Sequence, residues 1–332
     1  MNDPTPLDRA VQAAWRDFQA HYEPLRPTLY RYCRHLTRSP WDAEDLVQDT
    51  LARAFASLGA LLEPPRDPRA WLFRVASNLW IDRVRRSAPA LPDAEPRGEG
   101  PSRAVREAAG MLLVQLSPQE RAAVVLKDAF ELGLEDIADI LSTTVGAVKA
   151  ALHRGRGKLA EPDVETPRVP AAGALDAFVE AFNAGDLDRL AALLLDTSTV
   201  EVVGASTIQG AAAARTTVLP GMLLGSARMA ALEDGGQGTG IDPRFAQGVL
   251  PRPARLELRH LRGEPLLVSW YQHRDGEFVR AVTRVEVEPE SGRISHLWNY
   301  FFTPELIAEA CTELDLPHRT NGTFRARGSP AS

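Results

Sequence analysis

Between Lys149 and Lys158 the chain carries four Lys/Arg and no Asp/Glu. Lys149, His153, Arg156 and the adjacent Arg154 fall on one side of a helix, with Lys158 following, while Val145, Val148 and Leu152 recur at i, i+3 and i+7 on the other side. Cations of this kind neutralise phosphates. A helix divided in this way can seat its seam on its own domain and lay its charged side in the major groove of a duplex. A second concentration lies at 66–86, with six Arg and two Asp, a net of +4. There Trp71, Arg74, Asn78, Asp82 and Arg85 form one outer strip, with Arg86 beside it. Arginines interleaved with an aromatic and an amide suit a single strand, whose bases stack and whose phosphates need counter-charge. The plainer account of both stretches is a pair of solvated basic faces, with Trp71 and Trp80 in the core. Trp80 in particular reads as a core aromatic.

The elements that must hold these residues are legible. Ser117 is an N-cap, Pro118 suits the first helical position and Glu120 completes a capping box. Gly133 breaks the pattern. A short helix with Ile137, Ala138 and Leu141 on one face follows, then a polar turn at Ser142-Thr143-Thr144 that can cap the basic helix. The whole reads as a helix followed by a helix-turn-helix. Upstream, Leu25, Leu29, Tyr32, Cys33 and Leu36 recur at helical spacing. Ser39-Pro40-Trp41-Asp42 restarts a helix. Leu46, Val47, Leu51, Ala54, Phe55 and Leu58 form its inner side, and Asp42, Asp45, Gln48 and Asp49 its acidic side. That acidic side is either a solvated face favoured at a helix N-terminus or a dock for a basic partner. Asp67-Pro68 caps the next helix, with Leu72, Val75, Ala76, Leu79 and the stem of Arg83 turned inward and Phe73, Trp80 and Val84 extending the apolar arc.

Pro- and Gly-rich stretches divide the chain. The divisions expected are a helical domain at 11–87, a linker at 88–101, a second helical domain at 102–160, a linker at 161–172, an α+β domain at 173–302, and a terminal helix and tail at 303–332. Charge follows the same division: residues 1–160 hold 22 Lys/Arg and 21 Asp/Glu, a net of +1, and residues 161–332 hold 16 and 23, a net of −7. Any nucleic-acid surface must therefore come from local patches in the first half. Hydrophobic content of 44% is ordinary for globular protein. No apolar run reaches membrane-spanning length and no signal-peptide core is present, so a cytoplasmic protein is expected. Cys33 and Cys311 stand alone, which points to buried free thiols, with no metal site and no cofactor expected.

In the second half, two amphipathic helices meet at Asn183-Ala184-Gly185 with Asp186 as a cap, followed by a short strand at 198–203. Strands at 254–261, 266–273, 278–288 and 293–302 form an antiparallel meander with hairpin turns. Ile294, His296, Trp298, Tyr300 and Phe302 share one face of the last strand, and Tyr271 and His273 are expected nearby. Tyr271, His273, His296, Trp298 and Tyr300 could line a pocket for a small ligand, or simply fill the domain. No carboxylate is paired with a histidine by spacing, so no catalytic residue is named and no enzyme is expected. A helix starts at Thr303-Pro304, and the tail from Pro317 is expected to be disordered.

Residues 25–160, about 40% of the chain, resemble a sigma-70-type sigma factor of the extracytoplasmic-function class. LVQDTLARAF resembles region 2.2, DPRAWLFRVASNLWIDRVRR regions 2.3 and 2.4, and the stretch from Leu116 to Leu159 region 4, including its Val-Gly-x-Val-Lys-x-x-Leu-His-Arg order. FVEAFNAGDLDRLAALL is similar to the opening of the SnoaL-like, nuclear transport factor 2-like family. The resemblance implies two all-α domains, a region 2 bundle and a region 4 helix-turn-helix, followed by a cone-shaped α+β domain, whose covalent attachment and acidic charge lead to the expectation that it modulates activity. It implies RNA polymerase core as partner, through its β′ coiled coil and β flap, and promoter DNA. Asp45, Gln48 and Asp49 would bind polymerase. Trp71, Arg74, Asn78, Arg85 and Arg86 would hold the melted −10 element. Lys149, His153, Arg154, Arg156 and Lys158 would read the −35 element. Ala147, Ala150, Ala151, Gly155 and Gly157 depart from the family pattern, and the glycines are expected to fray the helix end. Two other readings stay open: a DNA-binding regulator that does not join polymerase, and a SnoaL-like enzyme or ligand sensor with a DNA-binding appendage.

Overall fold

The computed structural model describes residues 5–58, 63–87, 116–156, 173–225, 254–273 and 275–323, which fall into two units, one from each half of the chain. The expected linkers at 88–101 and 161–172, the first part (102–115) of the second expected helical domain, and Gly157 lie outside the described residues.

In the first unit α1 (Pro6–Tyr22), α2 (Arg26–Thr37), α3 (Pro40–Leu58) and α4 (Pro68–Ser87) form a bundle around Leu29, Tyr32, Cys33, Leu36, Leu46, Val47, Leu72, Phe73 and Ala76, all at most 1% exposed. The caps are those expected: Ser39 Oγ accepts from the Asp42 amide at 3.3 Å, and Asp67 Oδ1 from the Ala70 amide at 3.0 Å. The inner seam of α4 is centred on the Phe73–Trp80 edge of the expected apolar arc. Phe73, Ser77, Trp80 and Ile81 are buried, while Val75, Leu79 and Arg83 are only partly covered. The cause is a second neighbour, because α4 is packed by later helices as well as by α2 and α3.

Arg26 and Glu44 form an ion pair sealed inside this bundle, at 1% and 0% side-chain exposure. Removing one member leaves the other charge buried without its counter-ion, so Glu44→Ala is expected to cost about 3–5 kcal/mol of unfolding free energy, read from urea denaturation. A loss below 1 kcal/mol would contradict the pairing. Cys33 and Cys311 are free and buried. Burial pushes the Cys33 thiol up, and the Cys311 thiol up to about 12. Both should therefore react with a thiol reagent only after denaturant is added.

The following segment folds as α5 (Pro118–Val124), a wide turn at Val125–Ala129, α6 (Leu134–Ile140) and α7 (Val145–Arg156). The capping box is complete: Ser117 Oγ accepts from the Glu120 amide at 3.2 Å, and Glu120 Oε2 from the Ser117 amide at 3.1 Å. Thr144 Oγ1 accepts from the Ala147 amide at 3.2 Å and opens α7. Val148, Ala151, Leu152 and Gly155 of α7 are buried.

The second unit is α+β. Helices α8 (Ala174–Asn183), α9 (Leu187–Ala192) and α10 (Ala211–Thr216) accompany a six-stranded sheet. Its strands are β1 (Leu194–Val202), β2 (Ser206–Gln209), β3 (Arg255–Leu261), β4 (Glu264–His273), β5 (Gly276–Val287) and β6 (Ile294–Tyr300), in the order β2-β1-β6-β5-β4-β3. Strands β3 to β6 are the expected meander. The sheet is mixed, because β1 joins β6 in parallel and starts earlier than expected, and β2 is an added strand. Asp186 caps α9, its Oδ1 accepting from the Arg189 amide at 2.9 Å. One face of the sheet meets the helices through Phe178, Phe182, Leu190, Val200, Leu256, Leu267, Tyr271, Ile294 and Leu297. After α11 (Pro304–Glu313) the tail is held, contrary to expectation, as far as Asn321. The Val279 amide donates to Pro317 O at 2.8 Å, the Arg319 amide to Val279 O at 3.0 Å, and Asn321 Nδ2 to Arg280 O at 2.9 Å.

Candidate nucleic-acid interface

Helix α7 presents Gly146, Lys149, His153 and Arg154 to solvent, with Ala150 half-covered, opposite its buried seam. Arg156 ends the helix; its side chain and Lys158 lie outside the described residues. The seam rests on α5 and α6, the packing expected of a helix-turn-helix. Gly155 is where the sequence reading is corrected. A Cβ there would stand 2.6 Å from Val124 Cγ2 and 3.2 Å from Leu116 Cδ2, so this glycine lets α7 close on α5 and does not loosen the helix end. Arg154 Nε donates to Glu120 Oε1 at 2.6 Å.

On α4, Arg74, Asn78, Asp82, Arg85 and Arg86 are exposed, one strip of cations and an amide. Trp71 is half-buried, its ring 5.7 Å from that of Tyr22. Trp80 is in the core at 6% exposure. On α3, Asp42, Asp45 and Asp49 are exposed. Gln48 is partly covered, its Nε2 donating to Glu44 Oε1 at 2.7 Å. Asp49 receives Arg83 Nη2 at 2.7 Å, so the acidic face of α3 and the basic helix α4 are joined by an exposed ion pair, a bond of small energetic weight.

The two basic helices belong to bodies that touch. Phe130, after the wide turn, lies edge-on to Phe73 at 5.0 Å and to Tyr32 at 5.7 Å, with the Arg31 guanidinium 6.0 Å from its centroid. Arg121 Nη1 donates to Leu36 O at 3.0 Å while its guanidinium lies 5.7 Å from the Trp80 ring centre. Helix α4 packs on α5 and α6, and both pack on α7. At 8–10 Å per packed pair, α4 and α7 are at most about 20 Å apart.

The five residues expected to share a pocket do not do so. Strand β4 is separated from β6 by β5. Tyr271 joins the core on the helix-covered face, as does Leu297 of β6. His296 and Trp298 alternate with Leu297 and so point to the opposite face. Tyr300 is 1% exposed. His273 is buried between Arg280 Nη1 at 3.5 Å and Arg319 Nη1 at 3.2 Å. The rings of His296 and Trp298 stack at 3.7 Å, and Glu201, brought in by the parallel β1–β6 pairing, places Oε2 3.8 Å from His296 Nε2. Burial pushes the Glu201 carboxyl up and the His296 imidazole down. This carboxylate lies 95 positions before its histidine and was invisible to spacing. The contacts of Glu120 with Arg154, Arg121 with Leu36 and Trp80, and Phe130 with Phe73 and Tyr32 were likewise invisible to spacing. A bulky aromatic between Asp128 and Glu131 was the signal available for Phe130.

Comparison with known proteins bears on these helices. The model of Sigma-70 region 2 matches residues 21–89 and that of Sigma-70, region 4 matches residues 106–159. The chain is 34% identical over 224 residues to the ECF RNA polymerase sigma factor SigG of Mycobacterium tuberculosis, covering 53% of this chain and spanning 59% of that relative's length. It is 32% identical over 151 residues to SigW of Bacillus subtilis, covering 40% of this chain and 80% of SigW. Among solved structures, the extracytoplasmic-function sigma factor SigJ of Mycobacterium tuberculosis matches at 22% identity, over 86% of this chain and 97% of SigJ, with a TM-score of 0.29. With both sigma regions in order, their helices formed and most of SigW covered, the chain belongs to the extracytoplasmic-function (ECF) family of RNA polymerase sigma factors.

Proposed function

We propose that the chain is a promoter-specificity subunit of bacterial RNA polymerase. The observation that carries this reading is the presence, in one helical unit, of two separate exposed basic helices beside an exposed acidic one. A repressor needs one DNA-reading helix. A factor that directs a polymerase needs an anchor, a duplex reader and a single-strand holder. In this reading Asp45, Gln48 and Asp49 on α3 meet the β′ coiled coil, and the α5–α7 body sits at the β flap. Lys149, His153, Arg154, Arg156 and Lys158 meet the −35 duplex. Trp71, Arg74, Asn78, Arg85 and Arg86 hold the melted −10 strand. Phosphate contacts set register and salt dependence, base contacts set sequence, and melting is offset by capture of unstacked bases. The activity is binding; the chain itself makes and breaks no bond.

The reading has a conformational consequence. Elements at −10 and −35 lie about 25 base pairs apart, about 85 Å of duplex at roughly 3.4 Å per pair. Helices about 20 Å apart cannot reach both, so the α1–α4 and α5–α7 bodies must part before both elements are read. Passing the chain over immobilised core polymerase tests the anchor: retention that is lost in Asp45→Arg supports it, and failure to bind core polymerase contradicts it.

The second unit is read as a SnoaL-like cone that modulates this activity, on the strength of its helix–strand order and its acidic charge. Deleting residues 173–332 should change polymerase affinity or transcript yield in vitro; no change in either would refute the modulation. The Glu201–His296 pair with the stacked Trp298 favours a second reading for this unit, in which its outer sheet face holds a small ligand. Glu201→Gln should then change that unit's melting response to added metabolite mixtures.

A further inference from the structure

We infer that Glu120 is a positioning residue for promoter contact: it holds Arg154 at the flank of α7, where a guanidinium meets a backbone phosphate. The inference rests on α7 being the duplex-reading helix. At 3.6 residues per turn, Gly146, Lys149, Ala150 and His153 centre on the outward line of α7, and Arg154 sits roughly 90° from that line, on the side of α5. Bases are met along the outward line of a groove-seated helix and phosphates at its flanks.

Arg154 is built to stay at that flank. Its Nε is used by Glu120 Oε1 at 2.6 Å, while its side chain is 57% exposed, so the two Nη groups face solvent at the edge of α7. Glu120 is only 7% exposed, and its other oxygen, Oε2, is taken by the Ser117 amide at 3.1 Å. The carboxylate is thus fixed by a backbone bond and cannot swing out toward DNA. Gly155 completes the arrangement, because any side chain at 155 would push Val124 and Leu116 away and carry Arg154 off Glu120. A planar guanidinium held through Nε keeps its fork for a phosphate, and it arrives with less rotamer freedom to lose. A carboxylate beside a DNA-contacting arginine would ordinarily repel the phosphate. Here it is buried and doubly bonded, and positioning outweighs repulsion.

The test uses the full chain and a fluorescent mixed-sequence duplex, with affinity measured by anisotropy across a potassium chloride series. Arg154→Ala should weaken binding and lower the slope of log affinity against log salt by about 0.9, the loss of one phosphate contact. Glu120→Gln keeps the capping box, since Gln serves at that position. It should weaken binding about two- to tenfold, the cost of immobilising a freed long side chain, and it should do nothing further in the Arg154→Ala background. Glu120→Gln that tightens binding, leaves it unchanged, or weakens it equally with and without Arg154 overturns the inference. Lys149→Ala separates this from the underlying reading. If it too leaves affinity and slope unchanged, α7 is not the DNA helix; if it weakens binding while Glu120→Gln does not, only the role of Glu120 falls.

Discussion

Replacing Phe130 with Ala is expected to part the two helical bodies of the first unit in the free protein. Phe130 joins them through edge-on contacts with Phe73 and Tyr32. Each such ring pair is worth about 0.5–1.5 kcal/mol beyond its buried area. Full burial of a phenylalanine is worth about 3–5 kcal/mol against Ala. Phe130 is half-covered, so about 2–3 kcal/mol is the reasonable loss, a roughly thirty- to hundredfold shift toward the parted state. Arg121→Ala, which removes the bond to Leu36 O and the stack on Trp80, should add to it. Energy transfer between dyes on cysteines introduced at Asp42 and Ala147, both exposed, reads the separation directly, because Cys33 and Cys311 are buried and stay unlabelled. The wild type should show high transfer that falls when core polymerase is added. Phe130→Ala should show lowered transfer alone, with unchanged helix content. Equal transfer in wild type and variant would mean that the aromatic contact does not hold the bodies together.

The second large effect is expected on the exposed strip of α4. Asn78→Ala with Arg85→Ala removes an amide and a cation from the face proposed to hold the single strand, without touching the buried seam of Phe73, Ser77 and Trp80. Contacts to an unstacked strand are worth about 1–3 kcal/mol per base, so losing two contacts should lower run-off transcription by about thirtyfold or more. The defect should lie at strand opening. Permanganate reactivity of thymines near the start site should fall while binding of the closed duplex, which the proposed function assigns to α7, stays near wild type. A variant that opens DNA normally would place the single-strand site elsewhere.

The helices, their caps and the basic faces were legible because they follow local rules. Ser117 with Glu120, Ser39, Asp67, Thr144 and Asp186 all cap as their types and spacing require. What was not legible depends on packing between distant segments. The seam of α4 takes in Ser77 and Ile81 because a second body covers it. Gly155 read as a flaw because its reason, Val124 and Leu116, lies thirty to forty positions away. The five residues grouped as one pocket were scattered by strand order, since β5 intervenes between β4 and β6. Glu201 met His296 only through a parallel pairing that a meander does not suggest. The tail was expected to be loose on composition alone, whereas Pro317, Arg319 and Asn321 are bound to β5.

Transcription in vitro tests most directly whether this chain directs a polymerase to promoters. Core RNA polymerase, mixed with the full chain and a pool of genomic promoter fragments, should yield discrete transcripts. Their start sites should share two upstream motifs, and the transcripts should be lost with Lys149→Ala with His153→Ala and with Asn78→Ala with Arg85→Ala. Retention of the pool on the chain with no transcript above the level of core polymerase alone would contradict it.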